Sequence, residues 1–168
     1  MATIAKHESM TLENQQFLSM AIAYLEIGKV AAEAGSKFSS DVDYQNAVAY
    51  QLFHAVELFY KLMIKYKTGS VYHSHDLRKL EVEYTNIYPG PNHKVNHPFD
   101  FSDYSSCELN PGEDEMYAEL ISRFKPKYMD QHLRYPTNTR TGGYSFSLDS
   151  SVFEEIKNTM IEIYELSS

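Results

Sequence analysis

Apolar side chains recur at three- and four-residue intervals through the second quarter of the chain. Such spacing places side chains on one face of an α-helix. It predicts a long helix from about Val42 to Lys67, which begins after Ser39–Asp41 and ends at Gly69. The apolar positions are Val48, Leu52, Ala55, Phe59, Leu62, Met63 and Tyr66. We expect this segment, the spine helix, to form the centre of the core.

Two further helices flank the spine helix in the sequence. The first is predicted from Leu12 to Gly35, with Thr11 as its cap. Small residues near its end, including Gly28, would allow another helix to approach closely. A shorter helix is predicted to begin near His75 and to end before Pro89, because proline cannot continue a helix.

Residues 88–112 have a different character, with proline, glycine, asparagine and serine between aromatic residues. A loop of this length is uncommon in a compact domain, where it tends to be functional or mobile. We interpret it as a long aromatic and proline-rich loop insertion. Its aromatic residues Phe99, Phe101 and Tyr104 predict that it folds back onto the helices.

Helical signals return after this loop. Asn110 followed by Pro111 is typical of a helix start, and Pro126 would kink or end the next helix. Ser151 and Glu154 have the spacing of a capping box and predict the start of a last helix. No β alternation of useful length occurs. The patterns together predict an all-α fold, an antiparallel up-and-down bundle of four main helices plus a shorter helix.

Composition limits the class of protein further. The chain has 168 residues, which fits a single helical domain over residues 1–168, and 43% of them are hydrophobic. The formal net charge of −8 disfavours a broad, non-specific grip on nucleic acid. A local basic groove stays open. With Cys107 as the single cysteine and no apolar leader at the start, we expect a cytoplasmic protein.

The spine helix and the turn after it resemble the HEPN domains, helical domains of prokaryotic toxin–antitoxin, defence and nucleotidyltransferase-linked proteins. The matching positions are Ala55, Glu57, Lys61, His75, Asp76, Leu77 and Leu80, with Ser74 where a glycine is frequent. The segment Leu133-Arg134-Tyr135-Pro136 is similar to an Arg-Tyr-Pro segment of many such proteins. The resemblance covers roughly residues 15–165.

The resemblance implies a homodimer, binding of RNA or a nucleotide, or a complex with a partner protein such as a nucleotidyltransferase. Many HEPN domains are metal-independent ribonucleases with an Arg followed by a His four to six residues later. This chain departs from that pattern, because His132 follows Arg123 at a longer spacing and no His follows Arg134 or Arg140. The departure puts ribonuclease activity in doubt.

Three polar clusters are candidates for chemistry. His75 and Asp76, with His73 beside them, could form an acid–base pair or simply start a helix. His93 and His97 have a spacing that binds transition metals on a helix, but Pro98 argues against a helix there. Glu57 and Lys61 on the spine helix are not among these three clusters, because their spacing predicts an ordinary ion pair.

The third cluster is the densest basic stretch of this acidic chain. It comprises Arg123, Lys125, Lys127, His132, Arg134 and Arg140, with Tyr128, Tyr135 and Tyr144 interleaved. Arginine and lysine contact phosphates, and tyrosine rings stack on bases. The alternative is a solvated helix end and a loop after it.

Our main hypothesis is a HEPN-like binding or assembly module that is not an enzyme, with Arg123, Lys127, Tyr135 and Arg140 as ligand-binding residues. We expect no metal, cofactor or membrane association. The alternative is a metal-independent endoribonuclease in which His132 is the general base and Arg134 stabilises the developing phosphate charge. A third hypothesis is a structural bundle whose loop 88–112 docks a partner.

Overall fold

A computed structural model describes residues 12–101, 112, 129–135 and 146–167. These residues form five α-helices: α1 (Leu12–Ala34), α2 (Asp41–Thr68), α3 (Leu77–Ile87), α4 (Met129–Arg134) and α5 (Ser150–Ser167). A 3-10 turn spans Pro91–His93. The described ranges contain no β-strand, so the predicted all-α bundle is confirmed. None of their helices is long and apolar enough to cross a membrane.

The first two helices form an antiparallel hairpin. Ser40 caps α2 by accepting a hydrogen bond from the Asp43 backbone N–H at 3.2 Å. At the same end of the hairpin, the Tyr44 hydroxyl donates to the Ala31 carbonyl at 2.8 Å. At the other end, Lys65 near the end of α2 pairs with Glu13 at the start of α1. The two helices therefore lie along each other over their whole length.

The spine helix α2 lies at the centre of the molecule and contacts each of the other described helices. The predicted apolar face is buried from Val48 to Met63, but the burial extends around the helix. The six consecutive residues from Phe59 to Ile64 are all buried, and six residues cover more than one full turn. The expectation of a single buried face was therefore too narrow, because neighbouring helices pack on several sides of α2.

Glycine ends α2 where the sequence predicts. Gly69 has a φ of 78°, in the left-handed region, and its N–H donates to the Lys65 carbonyl at 2.7 Å. The chain then passes through residues 70–76 and enters α3. Leu77, Leu80 and Tyr84 are the buried residues of α3. The Tyr88 hydroxyl, just after α3, donates to the Met63 carbonyl at 3.1 Å and fixes this end of α3 against α2.

The described part of the loop after α3 folds back onto the helices. Phe99 is buried, and its ring meets the Phe53 ring edge-on with centroids 5.3 Å apart. Phe101 is partly buried against the same core. This agrees with the expectation for these two aromatic residues, whereas Tyr104 lies outside the described residues.

Helix α5 packs against α1 at a glycine. The Phe153 ring occupies the space where a Cβ of Gly28 would be, at 2.2 Å from its nearest atom. Beside this contact, Lys29 Nζ lies 3.1 Å from Glu154 Oε2. The small residue near the end of α1 thus allows the close approach that the sequence suggested.

The predicted capping box at the start of α5 is wrong. The helix begins at Ser150, and Asp149 accepts the hydrogen bond from the Ser151 backbone N–H at 2.9 Å. Glu154 bonds Lys29 and Lys157 instead of the backbone. Aspartate caps a helix as well as serine does, so the start moves back without loss of capping.

One short helix, α4, was not expected from the sequence. The helix predicted after Asn110 and Pro111 lies outside the described residues, apart from Gly112. Its predicted break at Pro126 also lies outside them, and so does Cys107.

Candidate functional site

A row of polar and aromatic side chains runs along one side of the spine helix. Tyr50, His54, Glu57 and Lys61 succeed one another at intervals of four, three and four residues. Residues with this spacing are neighbours on a helix surface. The row begins near α4 and ends in the buried middle of α2.

Glu57 is the buried anion of this row. It is 3% exposed, and Lys61 Nζ donates to its Oε1 at 2.7 Å. His54 Nδ1 lies 3.3 Å from Oε2. Burial alone would raise the pKa of Glu57, but the hydrogen bonds from His54 and Lys61 and the charge of Lys61 outweigh it and lower the pKa to about 2. Glu57 is therefore a carboxylate at neutral pH.

The turn after α2 adds a third nitrogen to Glu57. His75 Nδ1 lies 2.9 Å from Glu57 Oε1, while 74% of the His75 side chain is exposed. Its neighbour Asp76 caps α3, with its side chain accepting from the Lys79 backbone N–H at 3.4 Å. Of the two roles considered for Asp76, an acid–base group or a helix cap, the structure shows the helix cap. His75 connects the turn to the spine helix through Glu57.

Arg134 and Tyr135 form the solvent-facing end of the site. Arg134 Nη2 lies 2.6 Å from Asp130 Oδ2, one helical turn earlier in α4. The Arg134 guanidinium lies 5.7 Å from the centroid of the Tyr50 ring and 5.4 Å from that of Tyr135. These are cation–π distances. Tyr135 is 61% exposed, so one end of this stack is open to solvent.

Tyr50 joins Arg134 to the polar row. Its ring stacks on His54 with centroids 5.7 Å apart and planes 14° from parallel. Tyr24 of α1 meets the His54 ring edge-on at 4.6 Å. Burial raises the pKa of Tyr50, so its hydroxyl stays protonated at neutral pH. We name this group, Tyr24, Tyr50, His54, Arg134 and Tyr135, the aromatic–cationic surface.

The predicted catalytic pair does not come together within one chain. His132 and Arg134 are two residues apart on α4, and residues at that spacing do not face each other on a helix. His132 is half-buried, whereas Arg134 is exposed. His54 and Arg134 both contact the Tyr50 ring. The predicted ligand-binding residues Arg123, Lys127 and Arg140, together with Lys125, lie outside the described residues.

The remaining described histidines, His73, His93 and His97, have different surroundings. His93 packs on the Tyr88 ring with centroids 5.4 Å apart. His97 Nε2 lies 3.3 Å from Glu81 Oε1, and His73 is exposed. Within the described ranges, no three His, Cys, Asp or Glu side chains are grouped as a metal site would require.

Sequence reasoning missed Tyr50, His54 and Asp130. The signal was present, because Tyr50 and His54 are four residues apart, and so are Asp130 and Arg134. Only the contact between α2 and α4, which lie far apart in the sequence, turns these two local pairs into one surface.

The sequence matches no protein-family model, and comparisons with curated proteins and with solved structures likewise gave no match.

Proposed function

We propose that the protein is a non-catalytic, HEPN-like binding module whose aromatic–cationic surface binds RNA or a nucleotide. The observation that carries this proposal is the closeness of the Arg134 guanidinium to the rings of Tyr50 and Tyr135, whose centroids lie 5.7 Å and 5.4 Å away. A cation beside two aromatic rings, one of them largely exposed, offers both of the contacts that a nucleotide requires.

The two contacts differ in chemistry. Arginine carries five N–H donors in a planar fork, of which Asp130 takes a part, so donors are left for a phosphate. The exposed ring of Tyr135 is free to stack on a base. Because Asp130 and Tyr50 already hold the guanidinium in place, binding costs less side-chain entropy than it would with a mobile arginine.

The charge of the chain supports a local contact over a broad one. The formal net charge is −8, so a ligand with many phosphates would be repelled by much of the surface. A single nucleotide or a short single strand needs only one or two cationic contacts. This favours recognition through stacking together with a few phosphate contacts.

The arrangement also favours binding over cleavage. His132 and Arg134, the pair proposed as general base and phosphate ligand, are two residues apart on α4, a spacing at which helix side chains do not face each other. Glu57, the buried carboxylate that contacts His54 of the aromatic–cationic surface, is already engaged by Lys61, His54 and His75. A ribonuclease is the alternative function, and cleavage of an RNA probe would reveal it.

The test is the binding of a fluorescein-labelled single-stranded RNA and of AMP, measured by fluorescence anisotropy and by calorimetry. Arg134→Ala should weaken RNA binding about tenfold or more, the order of a charge-assisted hydrogen bond. Tyr135→Ala should also weaken it about tenfold, because stacking of a base on an aromatic ring is worth about 1–3 kcal/mol. The slope of log affinity against log salt should decrease by about 0.7 in Arg134→Ala.

Arg78→Ala is the matched control. Arg78 is a partly exposed arginine of α3 near Asp76, so it tests the general effect of removing one positive charge. Equal weakening in Arg78→Ala and Arg134→Ala, or no RNA binding by the parent protein, would contradict the proposal. Cleavage of the RNA that disappears in both His132→Ala and Arg134→Ala would establish the ribonuclease alternative.

The proposal extends to assembly. A HEPN-like module would act as a homodimer or with a partner protein such as a nucleotidyltransferase, in a toxin–antitoxin or defence setting. Light scattering of the purified chain reports its mass in solution, and a monomer at all accessible concentrations would argue against the homodimer.

A further inference from the structure

A cleft lies between the loop after α3 and the start of α5. Its walls are residues 94–101, Glu81 of α3, and Val152 and Glu155 of α5. Its volume is about 660 Å³, within the range of small-molecule sites of about 300–1,000 Å³. No residue of the aromatic–cationic surface lines this cleft, so a ligand of the cleft is independent of RNA or nucleotide binding at that surface.

A buried histidine in the cleft lacks a hydrogen bond. The side chain of His97 is 5% exposed, and within the described part of the chain its Nδ1 has no hydrogen-bond partner. Its Nε2 lies 3.3 Å from Glu81 Oε1 without the alignment of a hydrogen bond. Buried polar atoms in folded proteins are almost always bonded. Because His97 lines the cleft, its unpartnered ring nitrogen indicates a place for a polar atom of a ligand.

The charges and rings around His97 define the kind of ligand. Three carboxylate residues line the cleft, Glu81, Asp100 and Glu155, against a single lysine, Lys94. The apolar part of the lining includes two phenyl rings, those of Phe99 and Phe101, each with its centroid 5.4 Å from the His97 ring. Carboxylates attract a cation, and phenyl rings accept both an apolar body and the charge of an ammonium group.

We infer that this cleft binds a small organic cation, an amine with an aromatic or aliphatic body. The ammonium group lies among Glu81, Glu155 and the His97 ring, and one of its N–H groups donates to a ring nitrogen of His97. The apolar body packs on the Phe99 and Phe101 rings and on Val152. The ligand thus satisfies the buried imidazole and pairs Glu81 and Glu155 at the same time.

The experiment uses 2-phenylethylammonium as the probe, with neutral 2-phenylethanol and anionic 3-phenylpropionate as the matched comparisons. Binding is measured by two-dimensional NMR of the full chain, including the ring resonances of His97. The ammonium probe should shift the His97 ring resonances in a saturable way. The alcohol and the carboxylate should bind at least about fivefold more weakly, the order of one ion pair near a surface.

Variants locate the site. The double change Glu81→Gln and Glu155→Gln should weaken the ammonium probe about fivefold or more, while Glu162→Gln on the exposed side of α5 should leave it unchanged. Val152→Trp fills the cleft without altering any charge and should abolish the shifts. The inference is overturned if no saturable shift of the His97 ring occurs, if the alcohol binds as well as the ammonium, or if Glu162→Gln weakens the probe equally.

Discussion

At the scale of single residues, Glu57 is a buried carboxylate with three nitrogen-bearing partners. Its two oxygens lie near Lys61 and His54 of α2 and near His75 from the turn before α3. Breaking such a buried pair by removing one partner is costly, because the other charge is left in a poorly solvated place. The position of the turn after α2 therefore depends on one carboxylate.

The first prediction concerns the pH dependence of stability at Glu57. Its folded pKa of about 2 lies below the ordinary value of 4.5, so its stabilisation is present above about pH 4.5 and is lost as the pH falls through about 2. The difference corresponds to about 3 kcal/mol. Glu57→Gln should therefore be less stable than the parent by about that amount at pH 7 and by less than about 1 kcal/mol at pH 2.5. Urea unfolding at pH 7, 4 and 2.5 measures both.

Glu26→Gln, on the exposed side of α1, is the control for this comparison. It should match the parent protein at every pH. If the difference in free energy of unfolding between Glu57→Gln and the parent stays constant from pH 7 to pH 2.5, Glu57 is not held by these partners.

Whether the sequence predicts a contact of this site depends on how far apart the two residues lie along the chain. The spacing of Glu57 and Lys61 predicts their ion pair, because both lie on one helix. The contacts of Glu57 with His75 and of Tyr50 with Arg134 require the chain to return from a turn or from another helix. Hydrophobic periodicity does not show which distant segments contact each other. The spine helix and Arg134 were therefore each singled out from the sequence, but the contact between Tyr50 and Arg134 was not.

At the scale of elements, α1 and α5 approach each other closely at Gly28. The Phe153 ring lies where a side chain would otherwise be, 2.2 Å from an ideal Cβ. Alanine favours a helix over glycine by about 1 kcal/mol, so substitution would be stabilising if there were space. The contact with the buried Phe153 ring makes the net change in stability unfavourable, because overpacking a well-packed core costs about 1–3 kcal/mol.

Gly28→Ala should therefore lower the free energy of unfolding by up to about 2 kcal/mol, despite the higher helix propensity of alanine. Gln16→Ala, an exposed position of the same helix, should change it by less than about 0.5 kcal/mol. The double variant Gly28→Ala with Phe153→Leu should recover part of the loss, since the smaller side chain makes room for the methyl group. Thermal or urea unfolding provides the measurement, and a stabilised Gly28→Ala protein would contradict the packing described.

The helix boundaries were predictable where capping residues mark them. Ser40 and Gly69 delimit α2 in agreement with the sequence, whereas Asp149 replaces the predicted Ser151 at the start of α5. The helix α4 was missed because six residues are too few for a periodic pattern and Pro126 and Pro136 stand on either side. Local capping chemistry is visible in a sequence, whereas a helix of fewer than two turns that is stabilised by tertiary contacts is not.

At the scale of the whole molecule, the arrangement is a central helix surrounded by the others. Helix α2 contacts each of α1, α3, α4 and α5. Both the aromatic–cationic surface and the cleft include elements that pack against α2. The aromatic–cationic surface uses the first half of α2 together with α1 and α4. The cleft uses the loop after α3, whose Phe99 rests on Phe53 of α2.

The deep burial of α2 has a consequence for hydrogen exchange. The segment from Leu52 to Ile64 is enclosed by its neighbours, so its backbone amides should exchange with solvent only when the entire chain unfolds. Their protection should give one common free energy, equal to that from urea unfolding, while amides of the turn at residues 70–76 exchange through local opening at lower cost. Exchange monitored by mass spectrometry or NMR measures this, and slower exchange in α1 or α5 than in α2 would contradict it. A ligand that stabilises the fold from either site should then slow the exchange of the same central amides, which makes α2 a common reporter for both.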